Sequence, residues 1–245
     1  MTQLCLDAPL ITKFRPALGG LDNDGIGSTQ YGEEYLLKAD PSVAVAEFVG
    51  ASICRKIGIP TPEPTVVLYN DQKVFGSRLE GGVKTWQETD DLLELIKCCD
   101  NLQAFSAVLA VDVAIGNIDR HWNNWLYQEK SENTISVRAI DFSRSWPTVH
   151  PPASNHDLVN SRTHRAWSAW SYVGISFDQT SADHALDTMH KLDKSWLSGI
   201  LDSLPGEWYV AHPSSELKDW WEKHWTSQVA QTTTFIHQGA WSTQP

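Results

Sequence analysis

Gly116-Asn117-Ile118-Asp119-Arg120-His121-Trp122-Asn123-Asn124, followed by Ala139-Ile140-Asp141-Phe142-Ser143, is the stretch on which the reading of this chain turns. An Asp is followed five residues later by an Asn, and a second Asp closes an apolar run soon after. Between them, Trp125-Leu126-Tyr127 and residues 134–140 have the pattern of two short strands joined by the polar turn 128–133. A hairpin of that kind returns Asp141 to the side of the Asp119 loop. Asp119 is then placed to orient a hydroxyl, and Asn124 and Asp141 offer hard oxygen ligands for divalent cations. Phosphoryl transfer needs little covalent chemistry from a protein and mainly asks for such groups at fixed spacing. Taken singly, Asp and Asn are common turn formers; it is the joint occurrence in this order that carries weight.

Composition sets the outer bounds. A chain of 245 residues with 41% hydrophobic content can bury a substantial core, as one large domain or as two lobes around a cleft. The start, Met1-Thr2-Gln3-Leu4-Cys5-Leu6-Asp7, lacks the basic onset and long apolar run of a secretory signal, and no apolar segment reaches bilayer length. Cys5, Cys54, Cys98 and Cys99 have no metal-type spacing and read as reduced thiols, the last two in a helix over residues 90–99. A cytoplasmic protein with no membrane partner is expected. The net charge of −11 argues against direct binding to nucleic acid, which wants a basic face. The twelve tryptophans, many in the last third, read first as core and helix contacts, with a partner-binding surface as the alternative for some.

The chain divides into a β-rich part, residues 1–82, and a mainly helical part, residues 83–245. Strands are expected at residues 10–14, 34–38, 65–69 and 73–79, with a glycine-rich loop over 19–32 and a turn at Asn70-Asp71. Pro41-Ser42 opens a helix that Gly58 ends. Beyond Glu80-Gly81-Gly82, helices are expected at 90–99, 101–115, 180–204 and 215–235. The helix over 101–115 is apolar nearly all round and therefore buried, and Asp112 within it needs a partner, for which backbone amides of the following loop are the expectation.

Lys38 ends a strand and Glu47 lies nine residues on, in the next helix. Solvated surface residues are the ordinary fate of such charges. Glu47, however, is flanked by Ala44, Ala46, Phe48 and Val49, an apolar setting that favours a pair in which Glu47 holds Lys38 against phosphates. The 19–32 loop precedes the Lys38 strand, and Gly27, Ser28 and Thr29 are its candidate nucleotide contacts through backbone amides. The loop has neither a GxGxxG nor a GxxxxGK[ST] pattern, so an ordinary hairpin stays open. Arg120 either neutralises phosphate charge or holds a loop carbonyl, and His121 reads as structural.

Gly116 to Trp125 resembles the catalytic loop of the HipA-like serine/threonine kinases and, more distantly, the Asp-Arg-His-x-x-Asn loop of phosphatidylinositol 3- and 4-kinases. Glu34-Tyr35-Leu36-Leu37-Lys38, Ala46-Glu47-Phe48-Val49-Gly50-Ala51 and Ile57-Gly58-Ile59-Pro60-Thr61-Pro62-Glu63 are similar to the HipA-like side. The resemblance spans about residues 10–145 and leaves the last third unmatched. It implies an α+β, bilobed protein-kinase-like fold that uses ATP and Mg2+. Lys38 would bind phosphate, with Glu47 supporting it; Asp119 would be the catalytic Asp, Asn124 and Asp141 metal ligands, and Leu79, Glu80 and Gly81 the hinge whose backbone meets adenine. Ser143 stands where kinases commonly have glycine, which should stiffen the segment without touching Asp141. No Ala-Pro-Glu element follows, so activation-loop control of the usual kind is not expected. The chain is short beside HipA toxins. Ser28 and Thr29 are the local candidates for the autophosphorylation some family members show.

The leading expectation is therefore a kinase acting on Ser or Thr of a protein substrate, with toxin activity and an antitoxin-like partner as what the resemblance adds. A small-molecule or lipid-headgroup kinase of the same fold, and a catalytically weak nucleotide-binding interaction protein, are the alternatives.

Overall fold

The computed structural model describes residues 8–16, 25–85 and 92–239. It is an α+β molecule with an N-terminal β-sheet and a larger helical C-terminal part. Strands β1 (Ile11–Pro16), β2 (Gly25–Thr29), β3 (Glu34–Lys38), β4 (Glu63–Tyr69) and β5 (Gln72–Leu79) form one antiparallel sheet in the order β1-β2-β3-β5-β4. A parallel bridge from Leu10 to Leu68 draws the two edge strands toward each other. The β4–β5 turn is Asn70-Asp71, both at positive φ, as a tight hairpin requires.

Residue alternation divides this sheet into two faces. Leu37, with Ile11, Tyr35, Val67 and Val74, fills a small core of its own. Ile26, Leu36 and Lys38 point the other way. Helix α1 (Pro41–Ile57) follows β3, with Asp40 accepting from Ser42 N at 2.8 Å as its N-cap and Gly58 closing it in the left-handed conformation. Unlike a surface helix, α1 is buried on most sides: Val45, Glu47, Val49, Ile53 and Cys54 are all inside. It packs against the sheet and also against helices from the far end of the chain.

A second, three-stranded sheet begins at β6 (Val83–Thr85), which pairs with β7 (Trp125–Ser131), itself paired with β8 (Thr134–Ala139). Helix α2 (Leu92–Lys97) is short and leaves Cys98 and Cys99 just beyond it. Helix α3 (Gln103–Ile115) is buried over nearly its whole surface, as its all-round apolar sequence requires. Then come α4 (Asn155–Val159), α5 (Arg162–Trp170), α6 (Gln179–His190), α7 (Lys194–Leu201) and α8 (Ser214–His237). The short strand β6 and helices α4 and α5 are additions to the sequence expectation. The 180–204 helix is two helices, each N-capped by an Asp side chain.

Among the described residues the tryptophans either are buried in the core or, at Trp122, Trp196 and Trp220, pack partly buried against it. Trp221 and Trp225 stack at 3.8 Å, and their indole N–H groups donate to Leu192 O and Met189 O. Such an acceptor satisfies a buried indole N–H, and helix ends supply carbonyls. Trp208 reaches the N-terminal sheet, donating to Lys73 O at 2.9 Å. Among the described residues no helix is long and apolar enough to cross a membrane.

Candidate active site

Three of the sequence-predicted residues meet inside the molecule. Lys38, at the end of β3, is only 3% exposed, and its ammonium donates to Glu47 Oε1 and, at 2.8 Å, to Asp141 Oδ1. Glu47 is on α1, and Asp141 lies 103 residues from Lys38 in sequence, so the cluster ties sheet, helix and β8 exit together. Asp141 sits at φ 64, a left-handed conformation that Asp tolerates better than most residues. Ser143 donates from its hydroxyl to Asp141 Oδ1 at 2.7 Å. That corrects the expectation that Ser143 leaves Asp141 untouched: the turned backbone brings residue 143 back onto the carboxylate of residue 141. Asp141 nonetheless keeps about 25% of its side-chain surface exposed.

The charges explain the titration of each group. Burial works against the Lys38 ammonium, but Glu47 and Asp141 outweigh it and hold its pKa above the ordinary value. Glu47 is pushed up to about 7 by full burial, which Lys38 only partly offsets. Burial would raise Asp141 too, but Lys38 and the hydrogen bonds from Lys38 and Ser143 hold it well below the usual carboxylate range. Two carboxylates share one ammonium, so the ionised cluster carries surplus negative charge. A divalent cation beside Asp141 fits that surplus.

The loop 116–124 is organised by a residue whose role the sequence left open. Arg120 is 1% exposed and pairs through Nε and Nη2 with both oxygens of Asp112, at 2.8 and 2.9 Å. Its Nη1 donates to Asn124 O at 3.1 Å and to Ile140 O. Arg120 therefore holds loop carbonyls and does not face the cleft. The partner of Asp112 is thus Arg120, joined by the Asn117 side chain at 2.8 Å, and not the backbone amides expected. A guanidinium satisfies two carboxylate oxygens at once, which a loop amide cannot.

Asn124 is 2% exposed and donates from Nδ2 to Asp119 O at 2.9 Å, which orients its amide oxygen away from that carbonyl. Ile140 N donates to Asn124 O at 3.0 Å, so Asn124 stands one residue from Asp141 across the strand ends. Asp119 itself is partly exposed. Its carboxylate accepts from Arg162 Nη1 at 3.1 Å, a contact nothing in the sequence pattern signalled. His121 is half-buried, and burial lowers its pKa.

Between the two sheets lies a cavity of about 350 Å3. Ile26 and Leu36 roof it, Leu126 and Tyr127 floor it, and Leu79, Val83 and Lys84 close its side. Leu36 and Lys38 share a face of β3, so the cavity and the ion cluster lie on the same side of the N-terminal sheet. Of the expected hinge residues only Leu79 lines it. Gly81 O is taken by Gln128 Nε2 at 2.8 Å, and the Glu80 carboxylate pairs with Arg138 at 2.7 Å.

Gly27, Ser28 and Thr29 depart furthest from expectation. The sequence reading placed them in a loop; they belong to β2, with Ser28 opposite Glu34, four residues and ~13 Å along the strand from Lys38. Gly27 is glycine for packing, because a Cβ there would lie 2.7 Å from Leu37 Cδ1. Thr29 is buried, and its hydroxyl accepts from Tyr31 N and Glu33 N to close a turn, which removes it as an accessible phosphate acceptor. Residues 17–24, the rest of the proposed phosphate loop, lie outside the described residues.

The family model described as LepB N-terminal domain matches residues 77–194. No curated protein matches the chain. The crystal structure of a Helicobacter pylori proinflammatory kinase, CtkA, is similar over 98% of this chain and 100% of its own, at 16% identity and a TM-score of 0.60. The Rio2 kinase of Chaetomium thermophilum, solved as an ADP/Mg2+-phosphoaspartate complex, is similar over 91% of this chain and 72% of its own, at 17% identity and a TM-score of 0.50. HipA of Shewanella oneidensis MR-1 aligns over 90% of this chain and 65% of its own, at 11% identity and a TM-score of 0.47. The fold is protein-kinase-like.

Proposed function

We propose that the chain is an ATP- and Mg2+-dependent kinase that transfers the γ-phosphate to a hydroxyl, most readily Ser or Thr of a protein, with residues 1–82 as nucleotide lobe and 83–245 as acceptor lobe. The observation that carries this reading is the buried Lys38 held between Glu47 and Asp141, two residues along β3 from Leu36, which lines the apolar cavity. In it the cavity takes the adenine, Lys38 the phosphates, and Asn124 and Asp141 the metal, which when bound neutralises phosphate charge. Asp119 orients the acceptor hydroxyl. Membership of the HipA-like kinases, and toxin activity with it, is the finer form of the same reading, drawn from the catalytic-loop resemblance.

The test is transfer from labelled ATP with magnesium, to the protein itself and to a cell lysate, comparing wild type with Asp141→Asn. Labelled protein bands that vanish in the variant are expected. Nucleotide bound without any labelled protein would move the reading to a small-molecule acceptor.

A further inference from the structure

Resting on that kinase reading, we propose that Arg162 is a specificity-determining residue and that the acceptor is a peptide segment carrying an acidic side chain next to its hydroxyl. The ion pair from Arg162 to Asp119 is the starting observation. It takes one of the two oxygens of the carboxylate that an acceptor hydroxyl must reach, so it competes with the acceptor for Asp119. Both partners are solvent-exposed in part, at 62% and 31%, and such a pair shifts an equilibrium by only about fivefold at most. An incoming group can displace it.

Nor does the loop need this contact to hold its shape. Arg120 fixes the loop from inside. Arg162 is anchored by its backbone, which donates to Ile118 O at 3.0 Å, at the start of a helix capped by Ser161. The guanidinium is therefore an exposed, movable cation on a fixed base. It is not alone. Ile118 N donates to Arg144 O at 3.4 Å, so Arg144 flanks the same residue from the other side, and Arg165 lies one turn beyond Arg162. All three arginines are exposed, Arg162 on Asp119 itself and the other two on segments that adjoin its loop, on a chain whose net charge is −11.

A local basic rim on an acidic molecule selects for a locally acidic partner. When the acceptor docks, its carboxylate takes the Arg162 fork and Asp119 is released to the hydroxyl. The overall negative charge repels an extended anionic surface, which favours a peptide over a bilayer.

Two serine peptides of equal length decide the matter, one with Asp or Glu flanking the serine and one with Asn or Gln there. Wild type is expected to use the acidic peptide with kcat/KM about tenfold higher, the difference lying in KM. Arg162→Ala should erase the preference through KM for the acidic peptide, and Arg162→Lys should restore part of it. Equal use of both peptides by wild type, or an unchanged preference in Arg162→Ala, would overturn the inference while leaving the kinase reading intact. Transfer to anionic-lipid vesicles and to neither peptide would overturn the inference and relocate the acceptor. No transfer to any acceptor would bring down both together.

Discussion

The Arg120–Asp112 pair and the Lys38–Glu47–Asp141 cluster are both buried charges reached from one strand end, at Ile140 and Asp141, yet they are finished differently. In the first, one cation meets one anion, and the remaining donors are spent on Asn124 O and Ile140 O. Burial opposes the Arg120 charge, but Asp112 more than compensates and raises its pKa. In the second, two anions share one cation and Asp141 stays partly open to solvent. A sealed, balanced network positions backbone; an open, unbalanced one leaves something to bind. The contrast separates two clusters that a count of buried charges would treat alike.

The largest expected effect tests the sealed pair. Asp112→Ala leaves Arg120 buried and unpaired and should cost about 3–5 kcal/mol in urea unfolding. Asp112→Leu with Arg120→Met should recover part of that loss, since removing both charges is less costly than stranding one, but Asn124 O and Ile140 O would remain short of a donor. A single-variant cost below about 1 kcal/mol would break the comparison, because the pair would then have no structural role.

Asp141→Asn tests the open cluster from the other side. Asn also tolerates the left-handed backbone at this position, and Lys38 keeps Glu47. Stability should fall by only about 1–2 kcal/mol, the share the ionised carboxylate contributes at neutral pH, whereas phosphate transfer should fall by roughly 10^2–10^3-fold. A variant that loses stability and activity in proportion would make Asp141 another structural anion.

How much of this was legible before folding differs between the two clusters in the same way. Asp119, Asn124 and Asp141 stand out as candidates because loop chemistry is written in residue type and spacing. The pairing of Lys38 with Glu47 was legible because a carboxylate set among alanines and valines has to be paired. The partner of Asp112 was missed, although Arg120 lies only eight residues on, since a guanidinium folded inward leaves no periodic trace. Gly27 misled for a different reason: it is glycine because the Leu37 and Ile11 side chains occupy the space of a Cβ, which reads in sequence as a flexible loop. Helices α4 and α5 depend on tertiary contacts, and Arg162 had no signal at all.

A pH series sharpens the account of Glu47. Its pKa in the folded protein is raised from 4.5 to about 7, so between those values the folded state keeps a proton that the unfolded state has lost. Stability from this group is complete below pH 4.5 and is lost as pH rises through about 7. Glu47→Gln has no such proton, so wild type should lose roughly 2–3 kcal/mol relative to the variant between about pH 5 and pH 8. Parallel curves would mean that Glu47 is ionised throughout, and that the open cluster binds its lysine as tightly as the sealed one binds its arginine.

Ser143→Ala probes the smallest element of the difference. Its hydroxyl helps Lys38 hold Asp141 below the ordinary carboxylate range, against the upward pull of burial. A depressed carboxylate stabilises the fold above the ordinary value of 3.8, and that contribution is lost as pH falls through its folded value. Removing the hydroxyl should therefore cost about 1 kcal/mol near neutral pH, with the gap to wild type narrowing as the solution is acidified. If the gap persists in acid, Ser143 acts by packing and not through the charge of Asp141. Narrowing would show that this carboxylate is kept ionised by donors a ligand can replace, which the bidentate guanidinium of Arg120 does not allow at Asp112.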